Sequence, residues 1–395
     1  MTTRGRLLFV VNEAYFFLSH RSALARAAQH AGFQVHVAAP SDHVWAPADF
    51  DISELTKAGY RFHAIPLSRR RQSPWEEFRT LFALVRLYRR LRPNLVHHLT
   101  IKAVVHGGLA ARLTRVPAVV NALTGLGQVF VGRGLRWSAL RIVVSLALRL
   151  AMGHTNSSVI LQNPDDRDVL TKLGIVDSER CDLIRGSGVD LHEFFHRPER
   201  PGPPLVVLAG RLIWDKGVGD FVEAARQLKQ AGIKVRFALV GNTHSSNPRA
   251  VPLTKLQSWA KEGIVEYWGR REDMPDVLRQ CHIVCLPSTY AEGVPRVLLE
   301  AAATGRPMVA TDAAGCREVV RDGETGFLVP AADPKALGEA ITRLVVDADL
   351  RARMGARARE VAEAEFDERI TVAKTLDVYD RLLARTPSAS ASRKT

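Results

Sequence analysis

Short apolar runs alternate with longer amphipathic segments along almost the whole 395-residue chain, and they do so in two successive series. In the first series the strand candidates are Leu7–Val11, Gln34–Ala39, Phe62–Leu67, Leu95–His98, Ala118–Leu123 and Val159–Leu161. Ala23–Ala31, Trp75–Leu91, Val104–Leu113 and Trp137–Met152 carry helical periodicity between them. Continuous Val/Ile/Leu runs separated by helices predict parallel sheets covered on both faces, hence an α/β class with two Rossmann-like, doubly wound domains. The length agrees, because 395 residues exceed what a single core usually organises.

The pattern pauses at His196–Pro204 (HRPERPGPP), where four prolines in nine residues sustain neither a helix nor a central strand. The second series then runs through Leu205–Ala209, Val235–Val240, Val265–Trp268, Ile283–Leu286 and Met308–Thr311. The expected organisation is an N-terminal domain over 1–195, a linker over 196–204 and a second domain over 205–368. A final helix over 369–385 packs back across the hinge, and the tail 386–395 is disordered. Such a pair of domains puts a ligand cleft at the carboxyl ends of the two sheets.

Charge narrows the partners. Lys and Arg outnumber Asp and Glu by 55 to 41, a net +14 that favours an anionic partner without choosing among nucleic acid, acidic lipid and phosphorylated substrate. The basic residues gather in amphipathic helices with no reader motif, which argues against nucleic acid. Ser68–Arg92 holds eight arginines, and Gly134–Met152 mixes Trp137, Arg136, Arg141 and Arg149 with apolar residues. Both suit the headgroup region of an acidic membrane, and a core-packing helix is the competing reading of Gly134–Met152. Leu7–Val11 is too short for a secretory apolar core, and no uncharged stretch of about 20 residues exists. Cys181, Cys281, Cys285 and Cys316 show no metal-ligand spacing, in keeping with a reducing, cytoplasmic setting.

Three features follow strands of the second series. In Gly210–Gly217 (GRLIWDKG), a glycine lets the chain turn, and Arg211 and Lys216 stand beside a helix start that favours anions. Two fixed cations there suit a diphosphate, and a structural Arg–carboxylate pair is the competing reading. In Glu292–Glu300 (EGVPRVLLE), Pro295 fits the first helical position, with Glu292 in the loop and Glu300 inside a very apolar helix. A carboxylate there needs hydrogen bonds, from vicinal sugar hydroxyls or from an internal arginine. The third feature, Thr311–Glu318 followed by Asp322–Val329, reads as a glycine turn, a short helix and an edge strand.

Together these motifs, in this order and spacing over Pro204–Val346, resemble retaining glycosyltransferases of family 4 with the GT-B fold. The wording EGVPRVLLEAAATGRPMVATD resembles the branch that builds bacterial surface polysaccharides on undecaprenyl diphosphate. The resemblance implies that Arg211 and Lys216, after Gly210, bind the donor diphosphate and that Glu300 binds the ribose. It also puts Glu292 at the donor sugar with the Gly293, Val294, Pro295, Arg296 and Val297 segment nearby, counts Gly241 as donor-binding, and likens Gly269-Arg270 to the segment beside the nucleobase. Arg211, Lys216 and Glu292 carry the catalytic expectation. In the first series FFLSHR and HHLTIK resemble the same branch and nominate Ser19, His20, His98 and Lys102 as cleft or acceptor residues. The family's usual histidine step is here Thr124-Gly125, so a catalytic histidine is not carried over, while Thr124 and Gly125 stay nominated as acceptor or cleft residues beside the donor.

The expected reaction is therefore metal-independent, without cofactor, moving a hexose or N-acetylhexosamine from a nucleotide-diphosphate sugar to a polyprenyl-diphosphate-linked glycan at the inner face of the cytoplasmic membrane. The rivals are a sugar-nucleotide epimerase on the same fold and a nucleic-acid-binding protein. Asp166/Asp168 and Asp347/Asp349 imitate metal-binding DxD steps, and neither is assigned to a metal.

Overall fold

The computed structural model describes residues 4–42, 50–67, 73–132, 134–243, 247–290 and 292–386. It divides the chain into two compact units, 1–187 together with 371–395, and 188–370.

Unit 1 contains β1 (Gly5–Val10), α1 (Ala14–His30), β2 (Phe33–Ala39), α2 (Ser53–Lys57), β3 (Arg61–Ala64), α3 (Pro74–Leu91) and β4 (Leu95–Leu99). It continues with α4 (Ile101–Thr114), β5 (Ala118–Leu123), α5 (Gln128–Val131), α6 (Leu135–Met152), β6 (Ser157–Leu161), α7 (Pro164–Lys172) and β7 (Cys181–Leu183). Unit 2 is built from β8 (Leu205–Ala209), α8 (Val218–Gln230), β9 (Arg236–Val240), α9 (Leu253–Lys261), β10 (Glu266–Gly269), α10 (Met274–Gln280) and β11 (Ile283–Leu286). After these come α11 (Arg296–Ala303), β12 (Met308–Thr311), α12 (Ala314–Arg317), β13 (Gly326–Val329), α13 (Pro334–Val346) and α14 (Ala348–Val361). The closing helix α15 (Glu368–Ala384) belongs almost wholly to unit 1.

Both sheets are parallel throughout, ordered β3-β2-β1-β4-β5-β6-β7 and β10-β9-β8-β11-β12-β13. In each, the first strand sits beside the fourth and the order reverses there, which makes a switch-point crevice at the carboxyl ends of β1/β4 and of β8/β11. The strands lie at the predicted apolar runs because each is buried on both faces; Leu205–Ala209, Ile283–Leu286 and Met308–Thr311 are buried end to end. β7 has no such run. Its three residues are only half buried, which is why it leaves no trace in the hydropathy pattern.

The Pro-rich stretch His196–Pro204 is not the boundary. The division falls at Ser187/Gly188, and the stretch lies within unit 2. Side chains of unit 2 take up two of its carbonyls: Arg306 donates to the carbonyl of Arg197 at 3.0 Å, and His282 Nε2 bonds the carbonyl of Arg200 at 2.9 Å. Arg351 pairs with Glu199 at 2.9 Å. The closing helix supplies Val378, Tyr379 and Leu382 to the unit 1 core, where the Tyr379 hydroxyl meets His97 Nδ1 at 2.6 Å. The tail beyond 386 and the basic start of the Ser68–Arg92 segment, 68–72, lie outside the described residues.

Among the described residues no helix is long and apolar enough to cross a membrane. Gly134–Met152 packs on the core along one edge only: Leu148 and Met152 enter a core cluster, and of α6 only Leu148, Ala151 and Met152 are buried. Leu135, Leu140, Ile142, Val143, Leu146 and Leu150 are exposed, Leu135 at 91%.

Candidate active site

The loop after β8 and the loop after β11 meet at the switch point of unit 2. Lys216 Nζ donates to Glu292 Oε2, and Ser288 Oγ donates to Glu292 Oε1. The Arg211 guanidinium hydrogen bonds to Tyr290, and Lys216 Nζ lies 5.7 Å from the centre of the same ring. Burial pulls the Lys216 ammonium down, but Glu292 and Tyr290 outweigh it and leave its pKa above the ordinary lysine value. Arg211 itself is exposed. Two cations and one carboxylate therefore share this corner, with positive charge in excess.

Backbone holds the corner in shape. The carbonyl of Asp215 accepts from the Thr289 amide at 2.8 Å and so joins the two loops, while the buried Asp215 carboxylate takes both bonds of the Arg249 guanidinium. Gly217 adopts φ +69°, and a Cβ on it would fall 1.9 Å from the carbonyl oxygen of Pro287. No other residue type fits there without moving β11's exit. Gly315 in α12 is equally constrained, since its Cβ would fall 1.8 Å from the carbonyl oxygen of Gly293. The loop Glu292–Val297 is thus pressed between α12 and the Lys216 turn.

Pro295 is the N-cap of α11 rather than its first helical residue, with φ −71° and ψ 123°. Arg296 and Val297 then occupy the first turn, whose N–H groups point out past the helix start beside Gly293 and Val294. One turn further in, Glu300 is buried and accepts from Arg296 Nε at 2.7 Å. The internal-arginine reading of this carboxylate holds in the structure, the arginine itself being half exposed at the helix start. Burial raises the Glu300 pKa above the usual carboxylate value, and Arg296 only partly offsets this.

Gly210 and Gly241 end β8 and β9 side by side, and Gly241 N donates to the Gly269 carbonyl at 2.8 Å. Arg270, directly after β10, pairs with Glu272 at 3.3 Å. Ser288, Tyr290 and Asp215 are parts of the site that the sequence did not single out. Ser288 and Tyr290 stand in no motif, and although Asp215 lies within GRLIWDKG, only the contact between loops reveals its part.

Unit 1 separates its candidates. His98 is a correction: it is wholly buried in β4, where Tyr88 Oη meets Nε2 at 2.9 Å and Asn121 Oδ1 meets Nδ1 at 2.7 Å. A Cβ on Gly107 would lie 2.3 Å from its ring, so the helix α4 seals it in. Its role is structural, a buried polar group satisfied on both nitrogens. Lys102, at the start of α4, pairs with Glu77 at 2.7 Å, and His106 contacts the other oxygen of Glu77 at 2.8 Å. Ser19 and His20 are half buried on α1, with Ser19 Oγ at 2.7 Å from His20 Nδ1 and His20 stacked on Phe16. Thr124 and Gly125 directly follow β5, Gly125 with φ +114°.

Among the described residues no cluster of three or more His, Cys, Asp or Glu side chains is arranged to hold a metal ion. Asn163 caps α7 by accepting from the Asp166 amide at 2.7 Å and donates its Nδ2 to the Asp166 carboxylate at 3.0 Å, while burial pushes that carboxyl up to about 6. Asp347 caps α14 through the Leu350 amide at 2.8 Å.

Residues 203–347 match the family described as glycosyl transferases group 1, and residues 6–151 match glycosyl transferase 4-like. These two matches cover β1–β5 of the first sheet, the whole second sheet and the corner formed by Arg211, Lys216 and Glu292. The chain is a group 1 glycosyltransferase. A similar relative is the N,N'-diacetylbacillosaminyl-diphospho-undecaprenol alpha-1,3-N-acetylgalactosaminyltransferase of Campylobacter jejuni, 28% identical over 86% of this chain and 91% of that protein. The UDP-Gal:alpha-D-GlcNAc-diphosphoundecaprenol alpha-1,3-galactosyltransferase of Escherichia coli is 25% identical over 72% of this chain and 74% of its own length. Among solved structures, Anabaena HepE in complex with UDP and glucose superposes with a TM-score of 0.74 at 20% identity, covering 95% of this chain and all of that one. Sucrose-phosphate synthase of Thermosynechococcus elongatus gives 0.78 at 19% identity, over 97% of this chain and 100% of that chain. The glycosyltransferase accordingly has the GT-B fold.

Proposed function

We propose that this glycosyltransferase moves a hexose or N-acetylhexosamine, with retention and without a metal, from a nucleotide-diphosphate sugar to a polyprenyl-diphosphate-linked glycan during bacterial surface polysaccharide synthesis. UDP is the first candidate carrier. The observation that carries the reading is the juxtaposition of Arg211 and Lys216 at the switch point of unit 2, beside the first turn of α11. As the glycosidic bond breaks, the leaving diphosphate gathers negative charge, and two held cations with helix amides stabilise it where it forms. The acceptor hydroxyl attacks on the face from which the diphosphate departs and passes its proton to a departing phosphate oxygen. Glu300 accepts from the ribose hydroxyls, and Glu292, oriented by Lys216 and Ser288, faces the sugar. Gly241 and Arg270 flank the base; Ser19, His20, Lys102, Thr124 and Gly125 serve the acceptor.

The printed acceptors of the Campylobacter and Escherichia relatives, both undecaprenol-linked diphosphates, support the lipid-linked acceptor. The exposed apolar side chains of α6, together with Trp75, Phe78 and Phe82 on α3, support work at the inner face of the cytoplasmic membrane. α4 packs against both helices, so they belong to one layer of unit 1. The exposed cations Arg79, Arg86, Arg89, Arg90, Arg136 and Arg149 complement acidic headgroups.

The test is a donor screen against defined undecaprenyl-diphosphate sugars with excess chelator present, the product anomer being read by NMR. A transferred α-linked sugar in chelator is expected from an α-linked donor. An inverted anomer, or turnover that stops with chelation, overturns the mechanism; isomerised donor formed without any acceptor overturns transfer itself.

A further inference from the structure

Arg21 projects from α1 into the interior of unit 1, where it is 8% exposed. Among the described residues no carboxylate pairs with it, and its Nε is buried with no hydrogen-bond partner. The Tyr379 phenol lies near it, but burial keeps the phenol neutral, so it supplies no counter-charge. Burial brings the guanidinium down to about 10, so it is still a cation at neutral pH. A buried charge with no counter-charge is among the least favourable arrangements a core can hold.

The cation faces a small cavity at the carboxyl edge of β5 and β6. Its walls include Arg21, His97, Ile160, Gln162, Gly186 and Thr375, and its volume of about 10 Å³ admits about one water-sized occupant. His97 Nε2 is the second buried atom here with no partner. Tyr379 meets the other ring nitrogen. With the phenol donating to Nδ1, the ring keeps its proton on Nε2 as another donor beside the guanidinium. Burial drives the His97 pKa well down, so the ring stays neutral and adds donors without charge. One cation, one neutral donor and a space for a single atom make a site for an anion.

We propose that the Arg21–His97 cavity of unit 1 binds a single anionic atom, either a free halide or one oxygen of a phosphate that reaches in from the strand ends. Occupancy neutralises the guanidinium and ties α1, β4 and α15 together.

The test uses the full chain. Unfolding midpoints are measured in chloride, bromide, inorganic phosphate and gluconate at matched ionic strength, for the wild type and for Arg21→Met. Crystals grown in bromide are examined by anomalous scattering. In the wild type a saturating small anion raises the midpoint over gluconate by about 2–4 °C, and Arg21→Met abolishes the difference. A bromide peak at the guanidinium identifies a halide site; a shift in phosphate alone identifies an oxyanion oxygen. If the salt response is the same in both proteins, or only water lies at Arg21 in every salt, the proposal is overturned. The diffraction arm decides the matter even if Arg21→Met does not fold.

Discussion

Lys216 and Glu292 stand 76 residues apart in the chain and share one hydrogen bond across the switch point of unit 2. The bond joins the loop after β8 to the loop after β11, so each residue orients the other, and in the proposed function it links the diphosphate side to the sugar side. Lys216→Met is expected to lower kcat by about 10²–10³, the loss typical of one donor to a developing negative charge. It also strands a nearly buried carboxylate. The double variant Lys216→Met/Glu292→Gln should therefore be more stable to urea than Lys216→Met alone, with coupling of about 1–3 kcal/mol. Additive losses in the denaturation cycle would disprove the mutual support.

With Glu300 on the donor ribose, as proposed, donor affinity depends on pH. Because burial raises the Glu300 pKa, the folded protein holds the proton more tightly than the unfolded chain does, and acid favours the fold at this site. Ribose binding needs the ionised form, so affinity for UDP is expected to be full above the raised pKa and to fall as pH drops through it. Calorimetric titration of UDP at a series of pH values checks the sign. Glu300→Gln should weaken binding about tenfold and flatten the profile.

Gly315→Ala places a methyl group against the Gly293 carbonyl and should displace the Glu292–Val297 loop. The expected cost is about 1–3 kcal/mol of stability, with a tenfold or greater loss of turnover. Gly219→Ala is the control. It lies in α8 with nothing nearer to its Cβ than Trp214 at 3.5 Å, so it should stabilise by about 0.5–1 kcal/mol and leave turnover intact.

His98 predicts acid lability of unit 1. Burial pushes its pKa down to about 4, against about 6.5 in an unfolded chain. Its contribution is complete above pH 6.5 and is lost as pH falls toward 4, up to about 3 kcal/mol in all. Urea midpoints of the wild type should fall more steeply over this window than those of His98→Asn, which has no titrating ring. Parallel slopes would remove His98 from the explanation.

The exposed face of α6 predicts where a membrane is touched. Ile142 and Leu146 are 70% and 58% exposed, so Ile142→Glu/Leu146→Glu should not disturb packing. Binding to acidic vesicles in a flotation assay is expected to fall about tenfold or more, with turnover of a water-soluble acceptor unchanged. Unaltered flotation would mean that this face does not meet the bilayer.

The parallel α/β architecture was legible in the chain because strands buried on both faces must be written as unbroken apolar runs, and Leu205–Ala209 or Met308–Thr311 can be little else. The cations Arg211 and Lys216 were legible too, since a glycine after a strand fixes where a helix start and its anion-favouring amides will be. What spacing along one chain could not express is contact between segments far apart in it. Only tertiary packing sealed His98 between Tyr88 and Asn121, bound the Pro-rich stretch to unit 2 through Arg306, His282 and Arg351, and left the apolar side of α6 outside the core. Apolar periodicity records how much surface an element must bury; which neighbour covers it, or whether any does, is decided when the whole chain has folded.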